Sequence, residues 1–140
     1  MQAGPRAITG VALALLLAHA LSLGLLGARG AGPVISDALQ LAVVLLAVYS
    51  CFAGARRQPG FFRHFFILVG AGFALWAAGQ STFIYYLYLL RQPNLPASPS
   101  DVFFFAYFLP LAAALVLRQD RKSTRLNSSH IQKSRMPSSA

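Results

Sequence analysis

The sequence predicts an all-α, polytopic membrane protein with four transmembrane helices and a disordered C-terminal tail. Of its 140 residues, 56% are hydrophobic and only 11% are charged, a balance unlike that of soluble domains. Before residue 120 the few charged side chains separate long uncharged blocks. Each block suits a hydrocarbon core roughly 30 Å thick. We therefore treat residues 1–119 as a membrane domain and the remainder as a tail.

The first predicted span covers residues 7–27 and the second covers residues 37–55. The first lies between Arg6 and Arg29 with no charged residue inside it. A cleaved signal peptide is the competing interpretation, but the apolar run exceeds the usual core of about 7 to 15 residues. The second span follows a Gly/Pro-containing loop. Ser36 or Asp37 is expected to cap it, because a side-chain oxygen there can accept from the first-turn amides.

The third predicted span covers residues 62–89 and the fourth covers residues 99–117. Residues 64–90 contain no Arg, Lys, Asp or Glu. As a helix this block would be about 40 Å long, so it must tilt or protrude. Its tyrosine-rich far end suits the membrane interface, which makes protrusion there the simpler expectation. In the fourth span Pro110 should kink the helix, since proline removes one helical hydrogen bond.

The arginines predict the orientation of these spans. Residues 1–119 contain seven Arg and two Asp, a net charge of +5. Five of the arginines lie before the first span, between the second span and the first residues of the third, or after the fourth: Arg6, Arg56, Arg57, Arg63 and Arg118. Because Arg and Lys favour cytoplasmic loops, we expect a multi-pass inner (plasma) membrane protein with a cytoplasmic N-terminus. The expected partners are the lipid bilayer and, as an open option, a second copy bound through the helices; nucleic acid is not expected.

The C-terminal tail, residues 120–140, differs abruptly from the rest in composition. When DRKSTRLNSSH and SRMPSSA are back-translated, they resemble the two parts of a ligated sequencing adapter, and IQK between them has the length of a sample index. The two stretches account for eighteen of the tail's twenty-one residues. We therefore expect an artefactual, unstructured tail and a natural reading frame truncated near Gln119. A genuine basic tail that binds anionic lipid is the alternative.

The stretch SPSDVFFFAYFLPL begins at Ser98 with the spacing of a capping box. Ser98 can accept from the amide of Asp101 while the Asp101 carboxylate accepts from the amide of Ser98. Pro99 then occupies the first helical position, where its missing amide proton costs nothing. These residues either only begin the helix at the outer surface, or place Asp101 against a ligand or signal.

A longer pattern surrounds this stretch, in which a helix with Trp, Gly and Gln leads through a Tyr pair to a Pro/Ser-rich loop, an Asp and an aromatic run. The matching residues are Trp76, Gly79, Gln80, Tyr85, Tyr86, Pro93, Pro96, Ser98, Pro99, Asp101, Phe104, Phe105 and Pro110. The pattern, over about residues 65–119, resembles the N-terminal multi-spanning membrane regions of bacterial sensor histidine kinases and diguanylate cyclases. It departs from them at Leu87, Ser100 and Phe104. The resemblance implies a signal-transduction role for this chain, as a sensory fragment without its cytosolic output domain.

Three polar side chains within the predicted spans are further candidates for a ligand or signal. His19 lies in the middle of the first span, where it could bind a metal, relay a proton or bond to another helix. Since no second His lies at helical spacing, the inter-helix bond is expected. Trp76 and Gln80 share one face of the third helix with Gly72 and are candidates for a pocket wall.

A ridge of small residues, Gly70, Ala74 and Ala78, is predicted on the third helix. Small side chains at this spacing let a neighbouring helix approach closely. Packing alone explains the ridge, so it supplies no candidate for chemistry.

No arrangement of residues typical of a catalytic site is recognisable. Paired carboxylates and a phosphate-binding Gly loop are not found, and the single Cys51 forms no metal-binding spacing. We expect no enzymatic activity, cofactor or metal in this fragment. The leading functional expectation is therefore a truncated membrane-embedded sensory and anchoring module, with Asp101, Gln80, Trp76 and His19 as candidate signal residues. The alternative is a small four-span transporter or channel subunit.

Overall fold

A computed structural model describes residues 5–26, 30–92 and 98–119 of the chain. These residues form four helices, and no strand occurs among them. The helices are α1 (Pro5–Leu26), α2 (Gly32–Arg57), α3 (Phe61–Ile84) with a π-helical turn after it (Tyr85–Leu89), and α4 (Pro99–Ala106), which is helical again over residues 108–119. The tail from residue 120 onward, predicted to be unstructured, lies outside the described residues.

The prediction of an all-α fold with four membrane-crossing helices is confirmed. Four segments are long and apolar enough to cross a membrane: Ala7–Leu26, Gly32–Arg57, Phe61–Leu89 and Pro99–Gln119. The bounds of the first, third and fourth lie within two residues of those predicted from charge spacing. The sparse charged residues are therefore good markers of where these helices end.

The second helix begins earlier than its predicted start at Asp37. Its N-cap is Ala31, which makes no side-chain capping bond, and Pro33 lies in the first turn. A proline fits there because its missing N–H needs no helical partner. Ser36 and Asp37 consequently lie inside the helix, and the prediction that one of them caps it was wrong.

The long third segment ends in a wider helical turn, Tyr85–Leu89. The N–H of Leu90 donates to the carbonyl of Tyr85 over 3.1 Å, and the N–H of Gln92 donates to the carbonyl of Tyr86 over 3.0 Å. The first bond spans five residues, the spacing of a π-helix, and the second spans six; π-helical turns are rare and are frequently found at functional sites. The wider turn rotates Tyr85, Tyr86 and Tyr88 away from the directions they would have in a regular continuation of α3.

The fourth helix is interrupted at Tyr107, three residues before Pro110. Pro110 has no N–H to donate to the carbonyl of Ala106, four residues earlier, so the regular bonding pattern cannot pass this point. The Tyr107 N–H still donates to the carbonyl of Phe103 over 3.1 Å. The sequence predicts a kink at Pro110; the structure shows an interruption of the helix at Tyr107, one turn before the proline.

The helices pack in chain order, α1 on α2, α2 on α3 and α3 on α4. Short connections make successive helices antiparallel, so the chain has two distinct ends. We call the end where α2 and α4 begin the aspartate end, because it carries Asp37 and Asp101. The end where α2 stops and α3 begins is the arginine end, with Arg56, Arg57 and Arg63.

Large apolar side chains point outward, whereas the buried positions are occupied mostly by small residues. Ala55, Ala77 and Ala114 are buried hydrophobic residues, while Leu25 is 80% and Leu109 is 74% exposed. This arrangement suits a bilayer, in which lipid tails solvate leucine and close packing of small residues holds helices together. The apolar helices are therefore compatible with direct contact with lipid.

Close approach of α4 to α3 depends on Gly72 and Gly79. A Cβ on Gly72 would lie 2.8 Å from Leu111 Cδ2, and a Cβ on Gly79 would lie 2.9 Å from Phe104 Cε1. At either distance an added Cβ would force the facing side chain or the helices to shift. Gly70, from the predicted small-residue ridge, instead faces α2, where its Cβ would lie 3.1 Å from Cys51 Cβ. Helix α3 thus uses different small residues against its two neighbours.

Gly72→Ala should destabilise the protein by separating α3 from α4. Overpacking costs about 1 to 3 kcal/mol, which exceeds the gain of about 1 kcal/mol from replacing Gly by Ala in a helix. Thermal unfolding of the purified protein in detergent measures the effect. Gly24→Ala is the matched control because a Cβ at Gly24 meets nothing within 4 Å. If Gly72→Ala and Gly24→Ala unfold at the same midpoint temperature, the close approach at Gly72 does not hold α3 and α4 together.

Candidate functional site at the aspartate end

Helix α4 begins at the aspartate end with both halves of a capping box. The Ser98 N–H donates to Asp101 Oδ2 over 3.0 Å, and Ser98 Oγ accepts from the N–H of Ser100 over 3.3 Å. Pro99 takes the first helical position, as the spacing predicts. The cap therefore fixes the position of the Asp101 side chain, which is exposed at the helix start.

A cavity of about 250 Å³ lies between the end of α3 and the start of α4. We call it the Ser100 cavity, and its lining residues are Phe83, Tyr86, Leu87, Gln92, Ser98, Ser100, Asp101 and Phe104. Ser100 is only 1% exposed, and its hydroxyl donates to Ser98 Oγ over 2.7 Å. The cavity thus combines an aromatic wall with hydroxyl, amide and carboxylate groups, a mixture suited to a small polar ligand.

Asp101 is the candidate signal residue that lines this cavity. Its negative charge lies beside the N-terminus of α4, where the helix dipole favours an anion. One carboxylate oxygen is committed to the capping bond. The carboxylate retains further acceptor capacity, so Asp101 can bind a cation or a hydrogen-bond donor at the cavity.

A second aspartate at this end forms a bond between helices that the sequence reasoning missed. Tyr88 Oη donates to Asp37 Oδ2 over 2.7 Å and joins the π-helical turn to the first part of α2. The sequence suggested only a cap for Asp37 and an interfacial position for Tyr88. One feature of the sequence could have pointed to this bond. Asp37 is the single acidic residue of its block, and an acid within a membrane span needs a partner.

His19 of α1 lies near Ser36 of α2, with 3.5 Å between His19 Nδ1 and Ser36 Oγ. This distance is at the long limit for a hydrogen bond. Ser22, also on α1, is buried and donates to the carbonyl of His19 over 2.8 Å. His19 therefore lies at the α1–α2 contact and does not line the Ser100 cavity.

Trp76 and Gln80 occupy the face of α3 that packs on α4. The Trp76 ring lies 4.9 Å from the ring of Tyr107 and 6.3 Å from that of Phe104, measured between centroids. Gln80 is 6% exposed. Neither residue lines the Ser100 cavity, so they form part of the helix interface that supports it.

The indole N–H of Trp76 is buried and has no hydrogen-bond acceptor among the described residues. A buried donor without a partner costs about 1 to 3 kcal/mol. The contact of α3 with α4 is therefore tight in shape but incomplete in hydrogen bonding.

Within the described ranges no group of three or more His, Cys, Asp or Glu side chains could hold a metal ion. The comparisons with protein-family models, with curated proteins and with solved structures find no match to this chain.

Tyr88→Phe should lower the free energy of unfolding by about 1.5 to 3 kcal/mol, as loss of a hydrogen bond to a charged group does. Thermal or denaturant unfolding in detergent micelles provides the measurement. Tyr85→Phe removes the same atom from a side chain that is 48% exposed and should change stability little. Equal effects of the two substitutions would contradict a stabilising Tyr88–Asp37 bond.

Proposed function

We propose that this chain is the membrane-embedded sensory and anchoring module of a bacterial signal-transduction protein. In this proposal the Ser100 cavity receives the signal and α4 transmits it toward the arginine end. The observation that carries the proposal is a cavity with a capped carboxylate between two helices, α3 and α4, that each depart from regular α-helical hydrogen bonding near it. The proposal also implies that the natural reading frame continues past Gln119 into a cytosolic output domain.

The contact of α3 with α4 supports transmission because it combines a close fit with features that favour a second arrangement. Gly72 and Gly79 allow the backbones to approach, whereas the Trp76 indole N–H lacks an acceptor among the described residues. Pro110 leaves the carbonyl of Ala106 without its normal helical donor. A shift of α4 could supply an acceptor to Trp76 at the expense of other contacts, so a ligand that binds one arrangement better would change the populations.

The proposed location is the inner (plasma) membrane, with the arginine end and the N-terminus in the cytoplasm. The support is charge segregation: Arg56, Arg57 and Arg63 lie at one end, and both described aspartates lie at the other. A homodimer through the helices stays a prediction, because the outward leucines of α1 suit lipid and a second copy equally.

The orientation predicts opposite labelling at the two ends of α3. In a Cys51→Ala background, Gln92→Cys should react with a membrane-impermeant maleimide added to intact cells, and Gln58→Cys should react only after permeabilisation. Both glutamines are exposed and lie outside the helices, so their thiols are matched in access. The reverse labelling would overturn the orientation.

Asp101→Asn should alter the output of the full-length protein without preventing insertion. The asparagine oxygen can still accept from the Ser98 N–H, so the substitution removes the charge and keeps the capping geometry. Output activity is compared at matched membrane levels across conditions. Arg91→Gln, a charge change at the same end outside the cavity lining, is the control. Equal activities of Asp101→Asn and wild type under every condition would leave Asp101 as a helix cap only.

The rival function is a small four-span transporter or channel subunit. Sequencing the locus with adapter-trimmed reads separates the two. A frame that continues into a kinase or cyclase region favours the sensor, and a stop codon within a few residues of Gln119 contradicts it.

A further inference from the structure

The arginine end contains a second and larger cavity, of about 650 Å³. It lies where α2 ends and α3 begins, and we call it the arginine groove. Three of its lining residues are Arg56, Arg57 and Arg63. The first two lie in the last turn of α2 and the third in the first turn of α3, with only residues 58–60 between the helices. The guanidinium groups are thus carried by two helices joined by a very short connection.

The lining of the groove changes from charged to apolar toward the membrane-spanning part of the helices. Phe52 and Ala55 of α2 and Ile67 of α3 supply the apolar part. Phe52 precedes Arg56, and Ile67 follows Arg63, by about one turn along each helix, while Ala55 directly precedes Arg56. A molecule that fills this groove therefore needs a charged head beside the arginines and an apolar portion beside the helices.

The aspartates of the described helices lie far from Arg56 and Arg63. Asp37 and Asp101 are the acidic residues in those helices, and both are at the opposite end. Arg56 also favourably opposes the partial negative charge at the C-terminus of α2. That interaction explains a cation at the end of α2, but it does not explain Arg63, which lies in the first turn of α3 near a partial positive charge.

We propose that the arginine groove binds the phosphate headgroup of an anionic phospholipid, with an acyl chain against Phe52 and Ile67. Guanidinium groups bind phosphate oxygens through paired, charge-assisted hydrogen bonds. Basic pockets between transmembrane helices are suited to such headgroups, and the volume falls within the range of ligand sites. The lipid would bridge α2 and α3 at the membrane surface. This inference does not depend on the signalling proposal.

The test uses the full chain in phosphatidylcholine nanodiscs that contain increasing fractions of phosphatidylglycerol. Thermal unfolding gives the fraction of phosphatidylglycerol at which stabilisation is half-maximal. For wild type, a saturable rise in midpoint is expected. Arg56→Gln combined with Arg63→Gln should raise the half-maximal fraction by about tenfold or more, the loss expected for removing charged hydrogen bonds. Arg91→Gln, which removes one cation at the opposite end, should behave as wild type.

Two further arms distinguish the source of the phosphate and guard against failed insertion. Glycerol 3-phosphate added in solution to pure phosphatidylcholine discs should not reproduce the stabilisation, because it lacks an acyl chain. If the Gln pair does not insert, Arg56→Lys with Arg63→Lys retains both charges without the paired guanidinium geometry and should bind more weakly than wild type.

The proposal is overturned if the variant with Arg56→Gln and Arg63→Gln needs the same fraction of phosphatidylglycerol for half-maximal stabilisation as wild type. It is overturned equally by full stabilisation with glycerol 3-phosphate, or by the same loss of lipid dependence in Arg91→Gln. If only the variant with Arg56→Lys and Arg63→Lys inserts, the proposal is overturned when that variant needs the same fraction of phosphatidylglycerol for half-maximal stabilisation as wild type.

Discussion

The close approach of α4 to α3 at Gly72 and Gly79 is the constraint on which the candidate site depends. Without a Cβ at these positions, Leu111 and Phe104 can reach the backbone of α3. This approach places the Trp76 ring against two aromatic rings of α4, and the Ser100 cavity lies between the same two helices at the aspartate end. Because lipid offers no hydrophobic driving force between helices, such short contacts carry much of the stability.

Two departures from regular helix occur on either side of this contact. The π-helical turn ends α3 beside the cavity, and the interruption at Tyr107 lies in α4 opposite Trp76. Each departure leaves backbone groups in a bonding pattern that differs from that of a regular helix. The two helices that line the Ser100 cavity are therefore the ones best suited to adopt a second arrangement.

Polar chemistry is divided between the two ends of the helices. At the aspartate end, the Asp37 carboxylate accepts a hydrogen bond from Tyr88 on another helix, and the Asp101 carboxylate accepts the capping bond from Ser98 at the start of its own helix. At the arginine end, cations from two helices line a groove with an apolar part. The middle of the protein is held mainly by small residues and aromatic rings, which suits the low polarity of a bilayer.

The sequence by itself determined the fold class, three of the four spans to within two residues, and the capping box at Ser98. These features depend on local composition and spacing: charges mark where helices leave the membrane, and Ser98, Pro99 and Asp101 interact within one turn. The interruption before Pro110 follows from a covalent property of proline and is equally local. The early start of α2 was missed because Pro33 resembled part of a loop, although proline also fits the first helical turn.

Only the tertiary structure decided which side chains meet across helices. The Tyr88–Asp37 bond joins residues 51 positions apart, and no periodic pattern in a single helix specifies such a pair. Similarly, helical spacing separates Gly70 from Gly72 and Gly79 on the surface of α3, but only the structure shows that Gly70 faces α2 while Gly72 and Gly79 face α4. A helix surrounded by lipid is apolar on every side, so its sequence pattern does not distinguish the protein-facing side from the lipid-facing one. The fit between neighbouring helices makes that choice.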